Sequence, residues 1–245
     1  MHEGNITERQ QLILKAIIQE YVETAQAVGS EDLVKSSHFG FSPATMRNEM
    51  AELTRMGFLQ KDHVSAGRAP TPQAFRYFIK NLMDEKELPV VNEVAMKQRL
   101  WDNRQDVSLL LREAAHTLAD ESQNLAMVVT DDGKVYVAGM AHILRHPEFY
   151  DIDVTRSVLH LIDQYDLIRA LVGQISPEVE MGIILGDEMV MRSMSLCGVV
   201  ICRINLPNNH DGYITVVGPY RLDYPTVIPA VRYLQHTMND MFRTW

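Results

Sequence analysis

A chain of 245 residues with 46% apolar content has room for one large domain or two small ones, each with a proper core. Its 23 basic residues stand against 32 acidic ones, and the formal charge of −9 argues against indiscriminate coating of nucleic acid while allowing a localised basic site. No apolar run reaches about 18 residues, the start MHEGNITERQQ lacks a signal-peptide core, and two cysteines make no disulfide framework, so a soluble cytoplasmic protein is expected.

Thr7 to Glu23 reads as the first helix. Thr7 and Gln10 form a T-x-x-Q capping box, and Leu14, Ile17, Ile18 and Tyr21 follow at helical spacing. After the short loop Thr24–Ala27, a second helix is expected from an N-cap at Ser30, carrying Leu33 and Val34. Ser36 to Phe41 turns the chain, with Gly40 as its flexible residue. A third helix has Ser42 as N-cap, Pro43 at its first position and Gly57 at its end. Met46, Met50 and Leu53 form its apolar face. Ala44, Asn48, Ala51 and Arg55 lie opposite, flanked by Thr45 and Arg47. Phe58 to Lys61 reads as a strand, and His63 to Arg68 as the tip and return of a hairpin that Ala69-Pro70 stops. That order is a helix-turn-helix with a wing.

The order points to double-stranded DNA. Two alanines let a helix approach the floor of a groove, Asn pairs with adenine, and Arg pairs with guanine in bidentate fashion. The free N–H groups beside Ser42 and Pro43 favour a phosphate. Arg68, next to Gly67, is placed to reach a phosphate or a narrow minor groove. Capped amphipathic helices occur in any small helical domain, so the charge distribution decides. Phe41 to Lys80 holds six basic residues (Arg47, Arg55, Lys61, Arg68, Arg76, Lys80) against three acidic ones (Glu49, Glu52, Asp62), a positive island on an acidic chain. The candidate DNA-binding residues are Ser42, Thr45, Arg47, Asn48, Arg55, Arg68 and Arg76.

Thr71-Pro72 caps a fourth helix, whose stripe of Phe75, Phe78, Ile79 and Leu82 reads as core. Asp84 to Asn92, broken by Pro89, is the expected linker. Glu93 to Asn124 reads as one or two helices, interrupted near Asp102-Asn103, with Leu100, Leu110, Leu111, Ala114, Ala115 and Leu118 on the buried face. Leu125 to Ala138 reads as a hairpin around Asp131–Gly133, which makes Asp131 and Asp132 turn residues, not a metal or acid–base pair. His142 and His146 have metal-ligand spacing, but they lack a third ligand and Pro147 follows at once. Asp153 to Val172 is expected as one amphipathic helix, stopped by Ser176-Pro177.

Strands are then expected at Met181–Leu185, Met194–Ile204 and Tyr213–Val217, with Pro207–Gly212 as a hairpin loop. Cys197 and Cys202 are five apart, so on a strand they face opposite sides and cannot share a metal. Asp223 or Tyr224 caps a final helix lined by Val227, Val231, Leu234, Met238 and Met241 or Phe242. The fold class is α+β, with a mainly antiparallel sheet in the second half. No cofactor or metal is expected.

The segments VGS (Val28–Ser30), SPATMRNEMAELTRMGFL (Ser42–Leu59), HVSAGRAPT (His63–Thr71) and FRYFI (Phe75–Ile79) resemble the heat-inducible transcription repressor family, HrcA. In the second half GMAHILRHPEF (Gly139–Phe149), ILGDE (Ile184–Glu188) and GYITVVGPYRLDYPTVIPAV (Gly212–Val231) continue the resemblance in order. It implies an N-terminal winged-helix DNA-binding domain over 1–84, a linker and connecting helices over 85–124, and a GAF-like domain over 125–245.

Family members carry a separate dimerising domain inserted in the GAF-like half. This chain is shorter by about the length of that insert, and its Asp-Asp-Gly hairpin leads almost directly into Gly139–Phe149. The helices between Glu93 and Asn124, or a face between two GAF-like domains, would then supply a dimer. The resemblance further implies a homodimer that represses chaperone operons at an inverted-repeat operator, loses activity on heating and needs the GroEL chaperonin to regain it. The competing reading is a winged-helix regulator whose GAF-like half takes a small-molecule ligand near Gly218–Tyr224. An enzyme is not expected, since no nucleophile elbow, P-loop, dinucleotide fingerprint or metal cluster occurs.

Overall fold

Thr7 starts the first helix through a reciprocal capping box: its side chain accepts from the Gln10 N–H, and the Gln10 side chain accepts from the Thr7 N–H. In the computed structural model, which describes residues 6–36, 40–61, 67–176, 178–189 and 191–243, this helix, α1, spans Glu8–Thr24. It buries Ile13, Leu14, Ile17 and Ile18. The chain divides into two compact units, Met1–Asp84 and Glu85–Trp245.

In the first unit α1 ends where Ala25 adopts the left-handed conformation, its N–H returning to the Tyr21 carbonyl. Helix α2, Ser30–Ser36, takes Ser30 as its first residue and not as the expected cap, because Leu33 N–H already donates to the Gly29 carbonyl at 3.0 Å. Part of the turn expected at Ser36–Phe41 lies outside the described residues. Helix α3, Pro43–Arg55, buries Met46, Met50 and Leu53 against α1 and α2. Strand β1, Leu59–Lys61, pairs antiparallel with β2, Arg68–Pro70; most of the hairpin tip expected at His63–Arg68 lies outside the described residues.

Ala69 and Pro70 were expected to stop this hairpin and instead belong to β2, opposite Gln60 and Leu59. The proline is tolerated because Thr71 N–H returns to the Phe58 carbonyl, which turns the neighbouring Pro70 nitrogen to the outer edge of the ribbon. Helix α4, Pro72–Tyr77, is capped by Thr71 and runs on as a π-turn over Phe78–Leu82. Phe75 and Phe78 are buried beneath it.

The second unit begins with α5, Val90–Asp102, and α6, Val107–Ser122. Asp106 separates them by accepting from the N–H groups of Ser108 and Leu109. Strands β3, Leu125–Thr130, and β4, Val135–Ala138, form the expected hairpin, with Gly133 at φ 91°. Through Gly139 alone the chain passes to the short helix α7, Met140–Ile143.

The single helix expected over Asp153–Val172 is two, α8 over Ile152–Asp163 and α9 over Tyr165–Val172. Gln164 is extended between them, and the Tyr165 hydroxyl donates to the Thr130 carbonyl at 3.2 Å. The break lets Val158 and Leu161 on one helix and Ile168 and Leu171 on the other reach the same apolar layer.

Strands β5, Met181–Leu185, β6, Cys197–Leu206, and β7, His210–Pro219, complete a fully antiparallel sheet of order β4-β3-β7-β6-β5. The strand expected over Met194–Ile204 thus starts and ends later, and Tyr213–Val217 is the middle of a longer one. The loop expected over Pro207–Gly212 shrinks to Pro207–Asn209, because Asn208 and Asn209 accept left-handed φ values of 59° and 62°. Arg203 clamps the strand ends with bonds of 2.7 and 2.8 Å to the two Asp211 carboxylate oxygens.

Both sheet faces are covered, so the strands read as nearly continuous apolar runs. Met127, Val129, Cys197, Val199 and Ile201 face α8 and α9. Helix α6 and the last helix, α10 over Tyr224–Phe242, pack on the sheet's other face, and α5 packs on both of them. Cys197 lies in the first layer and Cys202 outside it, as expected of residues on opposite faces, and burial pushes both thiols up to about 12. Pro229 sits inside α10 and has no N–H for the Pro225 carbonyl; that carbonyl accepts from Lys86 N–H at 3.1 Å, which ties the start of the unit to its last helix.

The β3–β4 turn gives a pH prediction. Asp132 binds Lys134 at 2.7 Å and accepts from the Thr130 hydroxyl, which holds its carboxyl down at about 2. A depressed carboxylate stabilises the fold above its ordinary range and loses that effect as pH falls through about 2. A carboxyl titration by NMR should give this midpoint for Asp132, and Asp132→Asn should flatten the acid limb of the stability curve.

Candidate nucleic-acid interface

Gly67 makes the site possible. A Cβ there would lie 2.7 Å from the Ala27 carbonyl oxygen, so only glycine lets the α1–α2 connection close on the hairpin. Val28 and Arg68 then exchange two backbone hydrogen bonds of 2.9 Å, and Lys61 stands opposite Arg68 in the β1–β2 register. The result is an open groove of about 670 Å³, lined among others by Ser30, Glu31, Asp32, Arg47, Lys61 and Arg68.

Ser42 caps α3 by accepting from Thr45 N–H at 3.1 Å, and its hydroxyl lies 2.9 Å from that of Thr45. This pair fixes the start of α3 while Pro43 needs no partner. Ala44, Arg47, Asn48, Ala51 and Arg55 are exposed along the outward face. Arg47 is 69% exposed and only 3.9 Å from Glu31, an ion pair of little energetic weight.

The acidic residues of α3 are already neutralised. Glu49 is bound by Arg9 at 3.2 Å and by Gln10 at 3.0 Å, which also ties α1 to α3. Glu52 accepts from Arg55 at 2.9 and 2.5 Å; that hydrogen bond lowers the carboxyl and raises the guanidinium. The outward face therefore presents Arg47 with no bare carboxylate of α3 beside it.

The structure brings Arg47 and Arg68 to one groove and adds Lys61, which sequence reasoning counted only toward local charge. Its signal was the strand register opposite Arg68. Ser42, Thr45 and Asn48 lie at the start and outward side of α3. Arg55 is engaged with Glu52, and Arg76, half-buried on α4, does not line the groove.

These features define a two-unit α+β protein whose small helical unit carries a mixed-charge groove rich in basic side chains. The family model for the HrcA protein C-terminal domain matches residues 60–228, and the chain belongs to the HrcA family. A heat-inducible transcription repressor HrcA from Symbiobacterium thermophilum is 23% identical, the alignment covering 97% of this chain and 99% of the relative. One from Desulforudis audaxviator is 25% identical, with 96% and 97% covered. The first alignment runs over 340 positions against a chain of 245 residues, so that relative has a long stretch without a counterpart here. A crystal structure described only as that of a hypothetical protein shares the fold with a TM-score of 0.80 at 14% identity, over 98% of this chain and 99% of that one. Among the described residues no helix is long and apolar enough to cross a membrane.

Ser42→Ala should cost about 1 kcal/mol of stability through loss of the α3 cap. Thermal unfolding of the variant against the parent chain checks this, and an unchanged midpoint would show the cap to be dispensable.

Proposed function

We propose that this chain is a heat-inducible transcription repressor whose first unit is a winged-helix DNA reader and whose second is a GAF-like domain. The convergence of Arg47, Lys61 and Arg68 on one groove, beside a helix face whose carboxylates are neutralised, carries this reading. Family membership supports it, and the curated relatives carry the repressor name. The outward face of α3 enters the major groove, where Arg47 and Asn48 meet base edges and Thr45 and Ser42 bind phosphate at the helix start. Arg68 and Lys61 bind the backbone from the wing. Arg55 contributes after exchanging Glu52 for phosphate, and Arg76 adds charge from α4.

The operator is an inverted repeat, read by a homodimer with its α3 helices about 34 Å apart or a multiple of that. The controlled genes are heat-shock chaperone operons. A GroEL-type chaperonin returns heat-inactivated chains to the native pool.

Arg47→Ala should weaken binding to an inverted-repeat chaperone operator by about 1–3 kcal/mol and spare random duplex. Salt-dependent binding to the repeat, a scrambled duplex and a half-site measures this. Equal loss on all three would make Arg47 a phosphate contact, and no loss on any would remove it from the interface.

A further inference from the structure

Helix α5 leaves an apolar stripe uncovered. Its inner side buries Met96 and Leu100, while Val90, Val91, Val94 and Trp101 are 73, 72, 62 and 48% exposed. Val90, Val94 and Trp101 follow one another along a single helix face, with Lys97 between them. Scattered exposed apolar residues need no explanation, but three on one face of one helix, interrupted there by Lys97, do. Arg104 stacks on the Trp101 ring at 4.3 Å and donates to its carbonyl, so this indole is held in place rather than loose. The inner side is equally fixed, with Arg99 bonded to Glu113 and Asp120 and Asn92 bonded to Glu121.

We infer that the α5 stripe is the face on which a second copy of this chain docks, α5 against α5 in antiparallel twofold pairing. This deepens the repressor reading, which needs a dimer, and rests on it for that requirement. The occupant follows from self-complementarity. A twofold axis midway between Val94 and Lys97 sets Val90 opposite Trp101 of the second copy and Val94 opposite Lys97 of the second copy. Lys97 then lies over apolar surface with its ammonium beside Glu93 of the other helix, and symmetry makes this pair twice. Lys97 is exposed and has no ion-pair partner among the described residues, so its charge is available for that contact.

The helix has 13 residues, about 20 Å of length. Two such helices cover less than the ~1,200 Å² below which interfaces are weak and transient. The dimer is therefore concentration-dependent.

Sedimentation equilibrium of the full chain over a range of concentrations tests this. The parent chain should show a reversible monomer–dimer equilibrium. Val94→Glu and Lys97→Glu should each weaken it by roughly tenfold or more with unchanged circular dichroism. The charge swap Glu93→Lys with Lys97→Glu should restore dimerisation toward the parent value, which a merely destabilised helix would not do. Lys97→Glu should also lose the affinity advantage of an inverted repeat over a half-site while keeping half-site binding.

A parent chain that is monomeric throughout, or a dimer indifferent to both single substitutions, overturns the inference and leaves the stripe to another segment or partner. A dimer that obeys the swap but ignores operator DNA keeps this surface and overturns the repressor reading instead.

Discussion

The contact between Ala27–Val28 and Gly67–Arg68 determines whether the first unit has a site at all. Without it, α1, α2 and α3 would still bury their stripes, because those are local consequences of spacing and caps. The hairpin, however, would be held only at its base, where Phe58 and Thr71 tie it to the end of α3, and nothing would close it on the α1–α2 connection. The absence of a Cβ at Gly67 lets two backbones meet, and two hydrogen bonds then set Arg68 beside Arg47. Thr71 does the complementary work at the far end of β2. Its hydroxyl donates to the Gly57 carbonyl at 2.7 Å while accepting from Ala74 N–H, so the end of the α3 loop and the start of α4 share one side chain.

The second unit is held together in a different way. Its sheet is covered on both faces, and a nearly buried ion pair ties two of its connections together. Arg221 and Glu148 are 8 and 11% exposed and bonded at 2.6 and 3.1 Å, linking the β7–α10 corner to the turn before α8. Removing either would leave a buried charge, which costs far more than the pair itself contributes. Burial, with Arg221 nearby, pushes His146 below its ordinary range and favours a neutral ring beside the guanidinium. Pro229 works in the opposite sense, freeing a carbonyl that Lys86 then takes.

What could be read from the sequence was local. Thr7, Ser42 and Thr71 cap helices because each lies three residues before the N–H it accepts, a fact of spacing alone. The stripes of α1, α3 and α10 were legible for the same reason. What could not be read depended on register. The ends of β6 and β7, the inclusion of Pro70 in β2 and the break at Gln164 are decided by what the neighbouring strand or layer presents. The site divides the same way. Ser42, Thr45, Arg47 and Asn48 follow from α3 by itself, whereas Lys61 joins the groove only through its pairing with Arg68. Arg55 carried a readable warning, since Glu52 three residues earlier is where its guanidinium goes.

The passage from β4 to α7 through Gly139 bears on regulation. A Cβ at Gly139 would lie 2.3 Å from the Asn124 carbonyl oxygen, and the residue holds φ at 76°, so the connection is as short and tight as the chain allows. No domain hangs from this connection. Under the proposed reading, a weak helix pair then has a consequence that a large dimerising domain would not. When the free chains are mostly monomeric, occupancy of a two-site operator depends on roughly the square of the native concentration. A modest loss of native chain on heating would then vacate the operator steeply, and chaperonin-assisted refolding would restore it as steeply. On this view the small size of the α5 face sharpens the response.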